Sequence, residues 1–195
     1  LWVVPFLRDT YALPTTTAAA YASAVSFALL FTAPLTGYLS DQVLRRRKLP
    51  YTVLCFCLFL FWAALALTAG ALPLWGMAMI LFGMGVVGGA FVLTWPIGRE
   101  VNPPHLAGTA VAVANMGGFL GAALTQKYVG RVLDAGWTGV MAEGARVYPA
   151  AAYASAFKLC AVFVLIAAVV SLLLRETRGR NIYHELHPGG THGGS

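Results

Sequence analysis

Five long apolar runs, at residues 15–40, 50–70, 73–98, 107–133 and 149–174, take up most of the chain, and no Asp or Glu interrupts any of them. Each is longer than the roughly 20 residues that cross the hydrocarbon core of a bilayer as a helix. In hydrocarbon a backbone must satisfy its own polar groups, so runs of this kind become helices. The expected fold is therefore an all-α, polytopic transmembrane helix bundle of five full spans plus a partial first span. The partial span is the apolar stretch 1–7, which has no cap or polar segment before it and no basic leader of the kind a signal peptide needs. It reads as the tail of a helix that begins before Leu1, and the chain as a fragment. Composition agrees: 59% of residues are apolar and 10% charged, against roughly 45–50% and 25% in a soluble domain. Disorder, a coiled coil and a secreted disulfide scaffold are excluded on the same grounds.

The basic residues set the orientation. Connections 41–49 and 99–106 and the tail from 175 share one side and hold Arg45, Arg46, Arg47, Lys48, Arg99, Arg175, Arg178 and Arg180. The other side holds Arg8, Arg146 and, at its border, Arg131. Lys and Arg accumulate on the cytoplasmic side, so the first set is inside. The net charge of +6 thus reports membrane orientation, with no nucleic-acid partner. Residues 1–174 form the membrane bundle, and residues 175–195 a cytoplasmic tail expected to be disordered at its end.

The acids Asp9, Asp41, Glu100, Asp134, Glu143, Glu176 and Glu185 all fall at or beyond span ends. A mid-membrane carboxylate is the usual proton relay, so proton coupling would have to use residues outside this stretch. Lys127 and Lys158 lie inside apolar runs but near enough to the outer ends to snorkel, which explains them more simply than a ligand role. Cys55, Cys57 and Cys160 sit in apolar surroundings as ordinary buried thiols, and no metal or cofactor is expected. The stretch 184–187, H-E-L-H, with His192 beyond it, lacks the spacing of a metalloprotease helix and lies in the tail. No constellation of His, Asp, Glu or activated Ser suggests a membrane enzyme.

Gly83, Gly85 and Gly88 spell a nucleotide-binding G-x-G-x-x-G, but inside an apolar run with no strand before them. With Gly89, Gly117, Gly118 and Gly121 they read instead as small faces that let helices approach closely in lipid. Deformability around Gly88 is the other reading.

The most specific stretch is 37–48, G-Y-L-S-D-Q-V-L-R-R-R-K, which closes one span and opens the next. Gly37 admits close approach of another helix, and Asp41 lands at the membrane face among arginines, where it can accept charge-assisted hydrogen bonds. A positive-inside loop with an incidental acid is the plainer account. The stretch resembles the G-x-L-(A/S)-D-R-x-G-R-R signature of the major facilitator superfamily, with Gln42 in place of the usual Arg and Leu44 in place of the usual Gly. Such departures suit the weaker copy of the signature in the family's second half. Residues 2–7, W-V-V-P-F-L, are similar to the outer end of span seven, and 100–110 to the turn between spans ten and eleven. Residues 115–121, N-M-G-G-F-L-G, resemble span eleven, and 175–179, R-E-T-R-G, the P-E-T-K-G-like motif after span twelve.

The resemblance implies the C-terminal half of a secondary active transporter, spans seven to twelve with span seven truncated, working by alternating access and incomplete without an N-terminal six-helix half. Its partners would be that half, the lipid bilayer and a small-molecule substrate, in a bacterial inner membrane. An organic anion, a sugar or a sugar-phosphate would be carried. A drug/proton antiporter of the same superfamily and a non-transporting structural subunit are the alternatives. The resemblance further implies an inner-face ionic latch at Gly37, Asp41, Arg45, Arg46, Glu100 and Glu176. By position, Trp2, Phe6, Trp95, Asn115 and Gln126 are candidates for the substrate cavity, although the aromatics could equally face lipid. Gly83, Gly88, Gly117 and Gly121 would pack helices.

Overall fold

The computed structural model describes residues 2–142 and 144–187. Among these, five helical segments are long and apolar enough to cross a membrane, Thr15–Val43, Lys48–Leu67, Leu74–Glu100, Pro104–Ala135 and Ala150–Ser171. The protein is an all-α multi-pass bundle. Its helices are α1 (Val3–Tyr11), α2 (Thr15–Tyr38), α3 (Lys48–Leu67), α4 (Leu74–Gly88), α5 (Thr94–Glu100), α6 (Ala107–Ala135), α7 (Ala150–Ser171) and the short α8 (Tyr183–Leu186). The spans alternate in direction, so the basic segments share one end, here called inner.

Three local departures from the expected pattern have physical causes. First, α1 does not stop at Leu7 but carries on through Arg8 and Asp9, because Arg8 is partly exposed and the Asp9 carboxylate finds protein partners in Tyr148 and Tyr153. It closes at Ala12, whose φ is +52°, before Pro14 forbids a continued helix. Second, the span from Leu74 is one rod only in outline, since Gly89–Leu93 is a tighter 3₁₀ turn between α4 and α5. Third, the outer connection before α7 carries a small hairpin, Met141–Ala142 paired with Ala145–Arg146. Glu143 lies outside the described residues.

Helix α3 packs along α7 and α2 along α4, while α6 leans on α5 and α7. The core gathers where α1 meets α7: Phe6 is 1% exposed and makes edge contacts with Tyr11, Tyr153 and Phe157. Phe6 thus packs in an aromatic cluster between α1 and α7.

The glycines divide. A side chain at Gly83 would strike the Phe61 ring, one at Gly85 the Val25 carbonyl and Ala28, and one at Gly89 the Thr36 hydroxyl. These make the close approaches of α3 and α2 to the α4 span. Gly88 meets only an ordinary contact from Leu29. Gly117 and Gly121 have nothing within 4 Å of where a Cβ would sit, nor has Gly37. Among the described residues these three pack no helix, because the faces of α6 and α2 that carry them turn away from the bundle. Those faces also expose Phe27, Leu30, Phe31, Met116 and Leu120.

Candidate functional site

The inner end of α2 widens into a π-helical turn at Leu39–Val43. A π turn takes in one residue more than an α turn, and such turns concentrate at functional sites. It buries Ser40, whose hydroxyl donates to the Arg46 carbonyl at 2.8 Å while the Arg46 amide donates to the Ser40 carbonyl at 3.2 Å. Between them Arg45 has φ of +48°. The loop is therefore closed tightly on itself, and the next residue, Arg47, points back under the bundle.

Arg47 is the hub of the inner end. One terminal nitrogen, Nη1, donates to Ser40 Oγ at 3.0 Å and pairs with Asp41. The other, Nη2, donates to Glu100 Oε1 at 2.9 Å, and Nε donates to the same carboxylate at 3.1 Å. This planar two-point grip on a carboxylate is one that Lys cannot make. The Arg47 backbone amide donates to Glu176 Oε1 at 2.7 Å, and the Thr177 hydroxyl donates to Glu100 Oε2. Arg47 is 7% exposed and the Glu100 side chain 12%, whereas the Asp41 side chain is 49% exposed. Burial pulls the Arg47 guanidinium pKa down, but Glu100 and Asp41 outweigh it and hold the pKa above its ordinary value.

The segment after α7 closes the knot from below. The Asn181 side-chain amide donates to the Arg99 and Asn102 carbonyls at 3.1 and 2.8 Å, and the Ile182 amide donates to the Glu100 carbonyl at 2.7 Å. Carbonyls at a helix C-terminus have no partner within the helix, and here the tail supplies donors to them and to the turn just beyond. The segment up to Ile182 is thus tied to the bundle. Residues 188–195, which include His192 and the stretch expected to be disordered, lie outside the described residues.

Of the expected latch residues, Asp41, Glu100 and Glu176 come together, and Arg45 and Arg46 do not join them. The left-handed backbone position of the loop falls on Arg45, just after the π turn, and it is Arg47 that reaches the acids. Sequence reasoning missed Arg47, Ser40, Thr177 and Asn181; the available signal was the third arginine in the run 45–48.

The cavity candidates also separate. The Trp95 indole donates to Asn115 Oδ1 at 2.9 Å, joining α5 to α6, with Phe91 edge-on to the indole. Trp2 and Gln126 instead line a cavity of about 370 Å³ inside the bundle, with Trp62 and Phe157. The Trp2 indole nitrogen is buried with no hydrogen-bond partner among the described residues.

At the outer end, Asp9 is more than a solvated span-end acid. Its side chain is 1% exposed and accepts hydrogen bonds from the Tyr153 hydroxyl at 2.7 Å, the Tyr148 amide at 3.2 Å and Arg8 Nε at 3.2 Å.

Apolar helices of spanning length, tied at their inner ends by a buried arginine–carboxylate knot, define a multi-pass membrane protein with a built junction between several spans. Residues 1–126 match the family model for the Major Facilitator Superfamily, and the chain belongs to that superfamily of secondary transporters. No curated protein and no solved structure matches it.

Proposed function

We propose that the chain is one six-helix half of a secondary transporter that moves a small organic solute across a bacterial inner membrane by alternating access. The partner half would pack on the faces of α2 and α6 that expose Phe27, Phe31, Met116 and Leu120. The observation that carries this reading is the Arg47 knot, which joins the end of α2 to the end of α5 through one buried guanidinium and adds the segment after α7 through the Arg47 backbone amide. A knot of this kind suits a junction that holds the inner side shut and must release for the solute to leave. Transporters of this architecture rock one repeat against another around a central site.

The solute site in this reading includes Trp95 and Asn115. The indole N–H is spent on the amide oxygen, which leaves the Asn115 NH₂ to donate and the ring to stack. That pair suits an uncharged solute with hydroxyl or carbonyl oxygens, such as a sugar, better than an organic anion or a sugar-phosphate, which would ask for a cation there.

The test is transport by the chain together with its partner half. Glu100→Gln is expected to slow uptake about tenfold or more with insertion unchanged. Asp41→Asn should slow it less, because Asp41 is half exposed. The two effects should be non-additive, since both acids act on one guanidinium. Wild-type rates in both variants, or strict additivity, would overturn the latch.

A further inference from the structure

The knot uses Arg47 and leaves its neighbours over. Among the described residues Arg46, Lys48 and Arg178 form none of the salt bridges. All three line one cavity of about 370 Å³ at the inner ends of α3 and α7, whose other walls include Leu49, Leu172 and Glu176. Glu176, whose Oε1 accepts from the backbone amides of Arg47 and Arg178 at 2.7 and 3.1 Å, keeps its charge and offsets only one of the three cations. Three basic residues therefore stand against one carboxylate around a mostly apolar cavity, and the N-terminus of α3, the positive end of its dipole, lies at the same place. Like charges held together repel, so an anion between them is stabilising.

The floor says what kind of anion. Leu49 and Leu172 are 47% and 49% exposed, next to spans that end at Lys48 and Ser171, so they stand at the membrane border. A free inorganic ion would gain nothing from such a floor. An amphiphile would place its charge on the basic rim and its apolar part on the leucines. Basic pockets between spans on the cytoplasmic side recognise anionic head groups on these terms.

We propose that this cavity binds an anionic glycerophospholipid of the inner leaflet, its phosphate held by Arg46, Lys48 and Arg178 and its glycerol end resting on Leu49 and Leu172. The lipid lies directly behind the knot: the Arg46 backbone pins Ser40, and Glu176 holds the Arg47 amide. Occupancy therefore stiffens the closed inner face.

The experiment uses the 195-residue chain in mild detergent, with lipid retention read by native mass spectrometry and stability by thermal unfolding. Phosphatidylglycerol should be retained about tenfold or more over phosphatidylcholine and should raise the melting temperature. The triple variant Arg46→Gln, Lys48→Gln, Arg178→Gln should lose that preference, each single change costing about fivefold. Arg45→Gln, outside the cavity, should keep it. Melting in phosphatidylcholine separates lost binding from lost folding, and if the triple variant melts early there, the single variants decide. Equal retention of the two lipids, or an Arg45→Gln loss as large as that of Lys48→Gln, would overturn the site. Protection by millimolar inorganic phosphate equal to that by phosphatidylglycerol would overturn the lipid as its occupant.

Discussion

Arg47 and Arg45 sit two residues apart in one cationic run, and their environments could hardly differ more. Arg47 is buried and grips Glu100 and Asp41, while Arg45 is exposed. Removing one partner of a buried ion pair strands the other charge and costs about 3–5 kcal/mol. Arg47→Met should therefore destabilise the chain by an amount in that range, reduced to about 2–3 kcal/mol if water reaches Glu100. Arg45→Gln should fall within about 0.5 kcal/mol of wild type. Denaturant or thermal unfolding in detergent measures both, and equal losses would mean the knot holds nothing. At this scale the acids were legible in the sequence, since Asp41, Glu100 and Glu176 each belong to a stretch that resembles a family motif. Their cation was not, because the choice among Arg45, Arg46 and Arg47 is made by a π turn and a left-handed φ, which no residue type in the run announces. The buried state of Asp9 was equally hidden, since its partners Tyr148 and Tyr153 lie far along the chain.

Among the helices, the glycines show how far pattern reading goes. A stripe of small residues marks a helix able to approach another, but not which neighbour arrives. Gly85 meets the α2 backbone at Val25, so Gly85→Ala forces two helices apart, at about 1–3 kcal/mol for overpacking. Gly117 and Gly121 face open space, so alanine there should be neutral or stabilising by up to about 1 kcal/mol, through helix propensity alone. If the partner half packs on this face of α6, Gly117→Ala should leave the chain stable and yet weaken its assembly with that half. The same unfolding measurements, paired with co-purification of the two halves, check this; a destabilising Gly117→Ala in the isolated chain would contradict the α6 geometry. In the tail, only the end of which was expected to be disordered, the sequence does not announce that Asn181 and Ile182 donate to the inner end of the α5 span. Asn181→Asp removes both side-chain donors and sets a negative charge beside a helix C-terminus, which the helix dipole disfavours. Amide exchange at Ile182 should then rise about tenfold with the spans unaffected, and unchanged exchange would show that the tail is held by other contacts.

For the whole molecule, the five spans were legible because length and hydropathy decide crossing, and the alternation of connections decides sides. Cysteines placed at Arg46 and Arg180, in a background lacking Cys55, Cys57 and Cys160, should label from the inner side, and one at Gly139 from the outer side. What hydropathy cannot decide is which faces meet protein and which meet lipid, because both are apolar. Here the exposed polar groups argue. Asn115 and Trp95 join α5 to α6 at a place the rest of the bundle leaves half exposed, and an amide is costly against bare hydrocarbon. If that pair belongs to a solute site shared between two bundles, one bundle alone has the binding groups but nothing to rock against. The 195-residue chain reconstituted by itself should therefore show no saturable, solute-selective uptake into liposomes, even when labelling proves correct insertion. Adding the partner half should restore uptake, and Asn115→Ala should then raise the KM about tenfold while leaving assembly intact. Selective uptake by the chain alone would overturn the two-bundle reading, and an unchanged KM in the Asn115 variant would move the solute site away from α6.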